Sequence, residues 1–389
     1  MLSTLLTHQI IALISTTFAM VLGTEEVKNE NDHEAKLEYC HTDVSSATVG
    51  PDINANDTLK SVVMILRHGD RNPIGVGNSN KHWIGSLGQL SNAGKQRMYE
   101  LGRYTRLRYK NFLSDNPDEC YARSAEVDRC ISSASLVLTG MYPPNGAYVW
   151  NTCLNWQPVP IRTVPRELDF VLKPSDSQKA IREELEKLNE PRVILDKMRS
   201  VLELAKRDLG LDYTNFEQVQ WLYNDLKCQY EQHKELPDWY DEDVRETLHE
   251  AAVQTQLAFT STSKLRALRS GPMLKEILFR LTHDNILDSE GVTHIKKISL
   301  FCTHDTEIAA LLNTLSVWNK QMPGYGATIY FERHNDKDYG EIVKMFYLNG
   351  PNEVQELKPY GIYNCDLDTF MEIVNNVERH GTLSKCDTK

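Results

Sequence analysis

The chain has 389 residues, 41% of them hydrophobic, enough for one large domain with an insertion or for two domains. Its formal net charge is −11 and no basic run offsets it, which excludes a nucleic-acid partner or an anionic membrane surface. Eight cysteines and a mostly apolar, uncharged stretch from Ile10 to Leu22 point to the secretory route.

That stretch is too short for a comfortable membrane span, and Val21 and Gly23 supply small residues for cleavage, so residues 1–23 read as a signal peptide. No second apolar stretch of about 20 residues follows, so the mature chain is expected to be secreted and to carry no membrane anchor. Residues 24–57, dense in Glu, Asn, Asp and Ser, read as a polar leader with no sustained period. The leader ends in the sequon Asn56-Asp57-Thr58, so Asn56 is the expected glycosylation site. Eight cysteines fit four disulfides, with the pairing left open among the 105 connectivities that eight allow. No CxxC or HExxH spacing occurs, and neither a metal nor a cofactor is expected.

The next stretch organises the rest. Ser61-Val62-Val63-Met64-Ile65-Leu66 is a short apolar run that predicts a fully buried strand of a parallel sheet. It runs into Arg67-His68-Gly69-Asp70-Arg71-Asn72-Pro73, a polar cluster placed where open α/β sheets bind their ligands. Gly69 allows close backbone approach to a ligand, and Pro73 cannot extend the strand. A solvated basic turn is the bland alternative. The full pattern, however, arises by chance in a chain this long at a frequency on the order of 10⁻⁴. Two guanidinium forks suit an oxyanion, and His68 offers a nitrogen nucleophile between them.

Gly75–Ser86 then reads as a loop lining a site entrance. A helix follows Ser91, with Met98, Leu101, Tyr104, Leu107 and Phe112 at helical spacing. A short strand ends at Arg123, and a helix is predicted from Val127 to Met141, its Ser124–Val127 start friendly to anions. From spacing alone Arg123 reads as a surface ion pair, and Arg129, further into the helix, as structural. Residues 162–260 show helical periods without strand-like runs, through Ile181–Leu188, Leu195–Leu209, Phe216–Tyr230 and Asp241–Phe259. Ser270-Gly271-Pro272 opens a helix over Met273–His283, with Pro in its first turn. Ile298–Cys302 predicts a second buried strand ending at Thr303-His304-Asp305-Thr306, with a helix over Glu307–Leu315. There Asp305 could merely cap the helix. Ile329–Arg333 and Glu341–Leu348 read as a hairpin on an antiparallel edge.

Arg67 to Pro73, written RHGxRxP, resembles the signature of the histidine acid phosphatases, the branch that contains prostatic and lysosomal acid phosphatases and phytases. The resemblance runs from about Leu59 to Cys365 and takes in Tyr142–Gly146, Trp156–Pro160 and the His304-Asp305 pair. It implies an α/β fold, a phosphoglycerate-mutase-like sheet flanked by helices with a helical cap insertion. The catalytic domain would then comprise residues 58–161 and 261–389, and the cap domain residues 162–260. It further implies His68 as nucleophile and Asp305 as proton donor, with Arg67, Arg71, Arg123 and His304 binding the substrate phosphate. Arg123 enters as the family's third phosphate-binding arginine. Small phosphomonoesters are the implied substrates, no cofactor is implied, and a homodimer is allowed because family members often form one. The polar C-terminus differs from the lysosomal relatives, which carry a transmembrane segment. Among rival readings, phytase activity stays open. A phosphoglycerate-mutase-like transferase fits poorly with a secretory signal. A secreted binding or venom-type protein that lost catalysis fits poorly with a full catalytic set.

Overall fold

The computed structural model describes residues 58–75, 83–174, 179–283, 285–287, 293–350 and 354–379, all within one unit spanning Val49–Lys389. The expected signal peptide, the leader with Asn56, Cys40 and Cys386, and most of the entrance loop lie outside the described residues.

The strands are β1 (Leu59–Arg67), β2 (Cys120–Ser124), β3 (Ile161–Arg162), β4 (Asn285–Leu287), β5 (Thr293–Ile295), β6 (Ile298–Thr303), β7 (Thr328–Asp336), β8 (Gly340–Leu348) and β9 (Val354–Leu357). Seven form one mixed sheet in the order β3-β2-β6-β1-β7-β8-β9, while β4 and β5 pair separately. β1 and β6 are buried along almost their whole length, as their uninterrupted apolar runs require of strands covered on both faces. They pair in parallel, with Arg67 opposite Thr303. β7 pairs antiparallel to β1, so the hairpin of β7 and β8 is not the sheet edge that the sequence suggests. β9 adds outside it, a four-residue strand too short for its apolar content to signal it.

Helices α1 (Asn92–Arg108), α2 (Asp128–Met141), α3 (Lys179–Leu185), α4 (Glu190–Leu204), α5 (Phe216–Glu231), α6 (Glu242–Ala258), α7 (Ser263–Thr282), α8 (Asp305–Thr314) and α9 (Leu367–Glu378) complete the described residues. The Ser91 hydroxyl accepts from the Gly94 amide and starts α1. α7 begins well before the position that Pro272 suggests. Thr262 caps it, and the apolar face of Leu265, Leu274, Ile277 and Leu281 carries the helix through the interior proline.

Two apolar cores result. One wraps the sheet, with Val63, Met64 and Ile65 of β1 packed among Leu274 and Ile277 of α7 and Ile373 and Val374 of α9. It also takes in Leu172, and β3 lies parallel beside β2, so residues 161–172 pack with the sheet. The second core is helical, built on Met198, Val219, Leu222, Leu226, Leu248 and Ala252. Leu222 and Leu226 of α5 are fully buried, worth about 1.5–3 kcal/mol each, which exceeds the roughly 1 kcal/mol of a single hydrogen bond. Their burial therefore sets the roll of α5 and leaves its Gln220, Asn224, Cys228 and Gln232 stripe facing elsewhere.

The four disulfides expected from the cysteine count do not form among the described residues. Cys120, Cys130, Cys153, Cys228, Cys302 and Cys365 are all free thiols. Five are buried, where a thiol packs as a small apolar side chain. No described helix is long and apolar enough to cross a membrane.

Gly69 serves packing. A Cβ on it would sit 2.7 Å from the Gly94 carbonyl, and one on Gly94 would sit 2.0 Å from the Asp70 carbonyl. This contact seats the start of α1 on the loop after β1. Gly94→Ala should cost about 1–3 kcal/mol, seen as a lower Tm in thermal melting. An unchanged Tm would show that the contact is not under constraint.

Candidate active site

The loops after β1 and β6 leave the sheet side by side. The His68 amide donates to Thr303 O at 3.1 Å, and the Gly326 amide donates to His68 O at 3.3 Å. His68 and His304 consequently meet edge to face, with ring centroids 5.3 Å apart, and both are buried. Asp305 follows as the first residue of α8. Its Oδ1 does accept the Thr306 amide at 3.0 Å, but its Oδ2 faces Arg67 Nη2 at 3.2 Å. The N-cap of α8 is His304 and no side chain caps the helix, so Asp305 does not act as its cap.

The hydrogen bonds of His68 fix its chemistry. Nδ1 lies 2.8 Å from Gly69 O, while Arg129 Nε lies 3.1 Å from Nε2. Arginine has donors and no acceptor, so Nε2 must present its lone pair and Nδ1 must carry the hydrogen. Burial, then the charges of Arg129 and Arg67, push the His68 pKa well below the usual imidazole value. The ring is neutral, with a free electron pair on Nε2 aimed at a guanidinium. His304 is likewise held neutral, by burial, Lys173 and Arg129.

Arg67 is anchored by donating to Pro323 O at 2.5 Å, and the Tyr325 ring lies 4.2 Å beneath its guanidinium carbon. Its buried Nε has no hydrogen-bond partner, a donor left for something else. Arg71 is buried and held by Asp225 at 2.9 Å. Asp225 also accepts the amides of Ile74 at 3.0 Å and Gly75 at 2.6 Å. Cys228 Sγ and Gln232 Nε2 reach Arg71 O at 2.8 and 3.1 Å. The polar stripe of α5 thus fastens the loop after β1. The same stripe reaches the acid: Asn224 Nδ2 and Gln220 Nε2 lie 3.3 and 3.4 Å from Asp305 Oδ2. Burial raises the Asp305 pKa, but Arg67, Asn224, Arg71 and the Thr306 amide outweigh it and hold the carboxyl below its ordinary value.

Arg123 has no described contact with His68. It sits within β2, and its Nη2 donates to the buried Asp169 at 2.6 Å. The arginine that meets His68 from α2 is Arg129, in the first turn of that helix, which from sequence reads as structural. The two lie six positions apart, but only Arg129 stands beyond the carboxyl end of its strand, where ligands of such sheets collect. That placement was the available signal. Tyr325, Asp225, Asn224 and Gln220 were also missed. The stripe at i, i+4, i+8 and i+12 on α5 reads in sequence as an ordinary solvated face.

Beyond these strand ends opens a cavity of about 400 Å³ lined by Arg67, Asn224 and Tyr325. No group of three or more His, Cys, Asp or Glu that could hold a metal ion occurs among the described residues.

A seven-strand α/β sheet with paired histidines and clustered arginines at its strand ends defines a histidine phosphatase fold. The chain belongs to the histidine phosphatase superfamily (branch 2), whose profile matches residues 76–348. It is 31% identical to prostatic acid phosphatase of Mus musculus over 350 residues, covering 84% of this chain and 89% of the relative. Venom acid phosphatase of Apis mellifera is also 31% identical, over 357 residues, 85% of this chain and 88% of that one. Among solved structures, Hafnia alvei phytase superimposes with a TM-score of 0.61 at 18% identity, covering 82% of this chain and 97% of its own. Family membership places the chain among the phosphoric monoester hydrolases.

Arg129→Met should lower kcat/KM by about 10²–10³-fold, the usual loss for one oxyanion donor, with the fold intact by circular dichroism. Arg123→Met should instead lower thermal stability by removing one buried ion pair of Asp169, with a much smaller effect on rate. Equal kinetic losses would return Arg123 to the phosphate site.

Proposed function

We propose that this protein is a secreted acid phosphatase that hydrolyses phosphomonoesters through a phosphohistidine on His68. The observation that carries this reading is the Nε2 lone pair of a neutral histidine, held among Arg67, Arg71 and Arg129. Nε2 attacks phosphorus and forms the N–P bond as the P–O bond to the leaving group breaks. Asp305 delivers a proton to the departing oxygen. Water then attacks phosphorus, Asp305 takes its proton, and the N–P bond breaks to release phosphate and free His68. The three arginines and His304 would hold the phosphoryl oxygens, the charge stabilisation on which phosphoryl transfer chiefly depends.

Asp305 is the demanding part, because in the free protein it is ionised and paired with Arg67. One proton must therefore enter with the substrate. A monoester carries that proton below its second pKa of about 6. Once bound, the phosphate draws the arginines to itself and repels the carboxylate, which moves the proton onto Asp305. Above about pH 6 the proton is lost from the free reactants, so kcat/KM should peak at about pH 4.5–6 and fall at higher pH. A peak above about pH 8 would contradict the scheme.

Secretion rests on the apolar stretch Ile10–Leu22 and the sequon at Asn56; the free cysteines give it no support. A homodimer is part of this reading on the resemblance alone.

The roles of His68 and Asp305 separate by leaving group. His68→Ala should abolish turnover of every ester. Asp305→Asn should slow the pre-steady-state burst with glycerol phosphate by about 10²–10⁴-fold. It should slow the burst with nitrophenyl phosphate far less, because nitrophenolate departs without a proton. Equal losses would remove Asp305 from the acid role.

Asn224→Ala offers a subtler check. The Asn224 hydrogen bond favours the ionised carboxylate, so its loss raises the Asp305 pKa and keeps the acid protonated to higher pH. The alkaline limb of kcat should move to higher pH. A uniform drop in kcat with an unmoved limb would mean that Asn224 only packs.

A further inference from the structure

The proposed phosphatase reading gives Arg67 two tasks: it binds the phosphoryl group and, before substrate arrives, it pairs with the acid Asp305. Two in-plane bonds hold its guanidinium. Nη1 donates to Pro323 O at 2.5 Å, and Nη2 faces Asp305 Oδ2 at 3.2 Å. Two points leave a planar group free to rock about the line that joins them. The second bond also weakens whenever Asp305 takes up its proton. The tilt of the guanidinium, and with it the direction of the unpartnered Nε–H, needs a hold that does not change with that proton.

The loop ahead of β7 supplies one. The centroid of the Tyr325 ring lies 4.2 Å from the guanidinium carbon of Arg67 and 5.9 Å from the centre of the His68 ring. The turn that carries it is fixed on both sides. The Gly324 amide donates to Asn349 Oδ1 at 2.8 Å, the Ala327 amide to Gly324 O at 3.1 Å and the Gly326 amide to His68 O at 3.3 Å. Gly326 takes a φ of +73°, and a Cβ there would sit 3.3 Å from Arg97 Cδ. Arg97 is itself clamped on Asp70 by bonds of 2.6 and 3.2 Å. Burial raises the Tyr325 phenol above the ordinary tyrosine pKa, so the guanidinium meets a neutral ring and not a phenolate. With the Arg67 side chain only 5% exposed, little water competes for the cation. A desolvated cation on an aromatic face is worth up to roughly thirtyfold in an equilibrium constant.

From this juxtaposition we infer that Tyr325 is a positioning residue, the face of its ring holding Arg67 in the phosphate-binding plane through both halves of the reaction. The ring acts through Arg67, and its hydroxyl is dispensable. Before substrate binds, the ring keeps the guanidinium from tilting fully onto Asp305; once Asp305 is protonated, the ring and Pro323 O remain as its holds. The inference rests on the phosphatase reading and adds to it a residue that touches neither the attacking nitrogen nor the acid.

The test varies the charge of the ring face at nearly constant shape. Tyr325→Phe and the mono-, di- and trifluorinated phenylalanines at the same position withdraw electron density stepwise, with thermal melting as a check on the fold. The measured quantity is the competitive inhibition constant of inorganic phosphate against nitrophenyl phosphate hydrolysis. Tyr325→Phe should hold it within about twofold of the unaltered protein, the trifluorinated ring should raise it about fivefold, and Tyr325→Leu about tenfold. Combined with Arg67→Met, the fluorinated series should leave kcat/KM flat, because the cation it acts on is gone. An inhibition constant unmoved along the series would overturn the inference, as would Tyr325→Phe as damaging as Tyr325→Leu. A series still graded without Arg67 would do the same. In each of these cases turnover by the unaltered protein leaves the phosphatase reading standing, whereas no turnover of nitrophenyl phosphate by that protein would overturn both.

Discussion

Parallel pairing of β1 with β6, in the register that sets Arg67 opposite Thr303, is the constraint on which this site depends. Both strands are apolar on both faces, so hydrophobic alternation does little to choose their register. The choice falls to the polar ends, where the His68 amide finds Thr303 O and the Arg67 amide finds Ala327 O. Slipping by one residue would strand these buried groups and part His68 from His304. The bonds that end the strands are thus the bonds that assemble the site.

The remaining geometry is imposed from the helical side. Asp225, Asn224 and Gln220 lie on a helix whose orientation is fixed by Leu222 and Leu226, yet they hold Arg71 and Asp305 from across the cleft. The arrangement has an electrostatic consequence. A carboxylate buried beside two arginines and two amide donors stays ionised until an anion arrives. In the proposed scheme its use as an acid is therefore tied to substrate entry.

Legibility in the sequence followed distance along the chain. His68, Arg67 and Arg71 sit in a contiguous motif after an unmistakable buried strand, and His304-Asp305 occupies the same position after a second one. The α/β fold and the run of helices through the middle of the chain were visible in hydrophobic periodicity. The contact of Arg129 with His68 was not, because a strand residue and a first-turn residue six apart look alike until the turn between them is drawn. The α5 stripe was hidden for another reason: polar residues on an amphipathic helix read as solvated unless a partner surface is known. Pro272 misled because one backbone breaker weighs less than a buried face of leucines and isoleucine. The cysteine count alone does not decide pairing, because free thiols are themselves good core residues.

The central claim is that Nε2 of His68, and not Nδ1, receives the phosphoryl group. Acid-sensitive phosphohistidine can be trapped by rapid quench into base and its linkage read by phosphorus–nitrogen coupling in ¹⁵N-labelled protein. Because Gly69 O holds the hydrogen on Nδ1, the phosphate should be attached to Nε2 of His68. Attachment at Nδ1, or on another residue, would contradict the account.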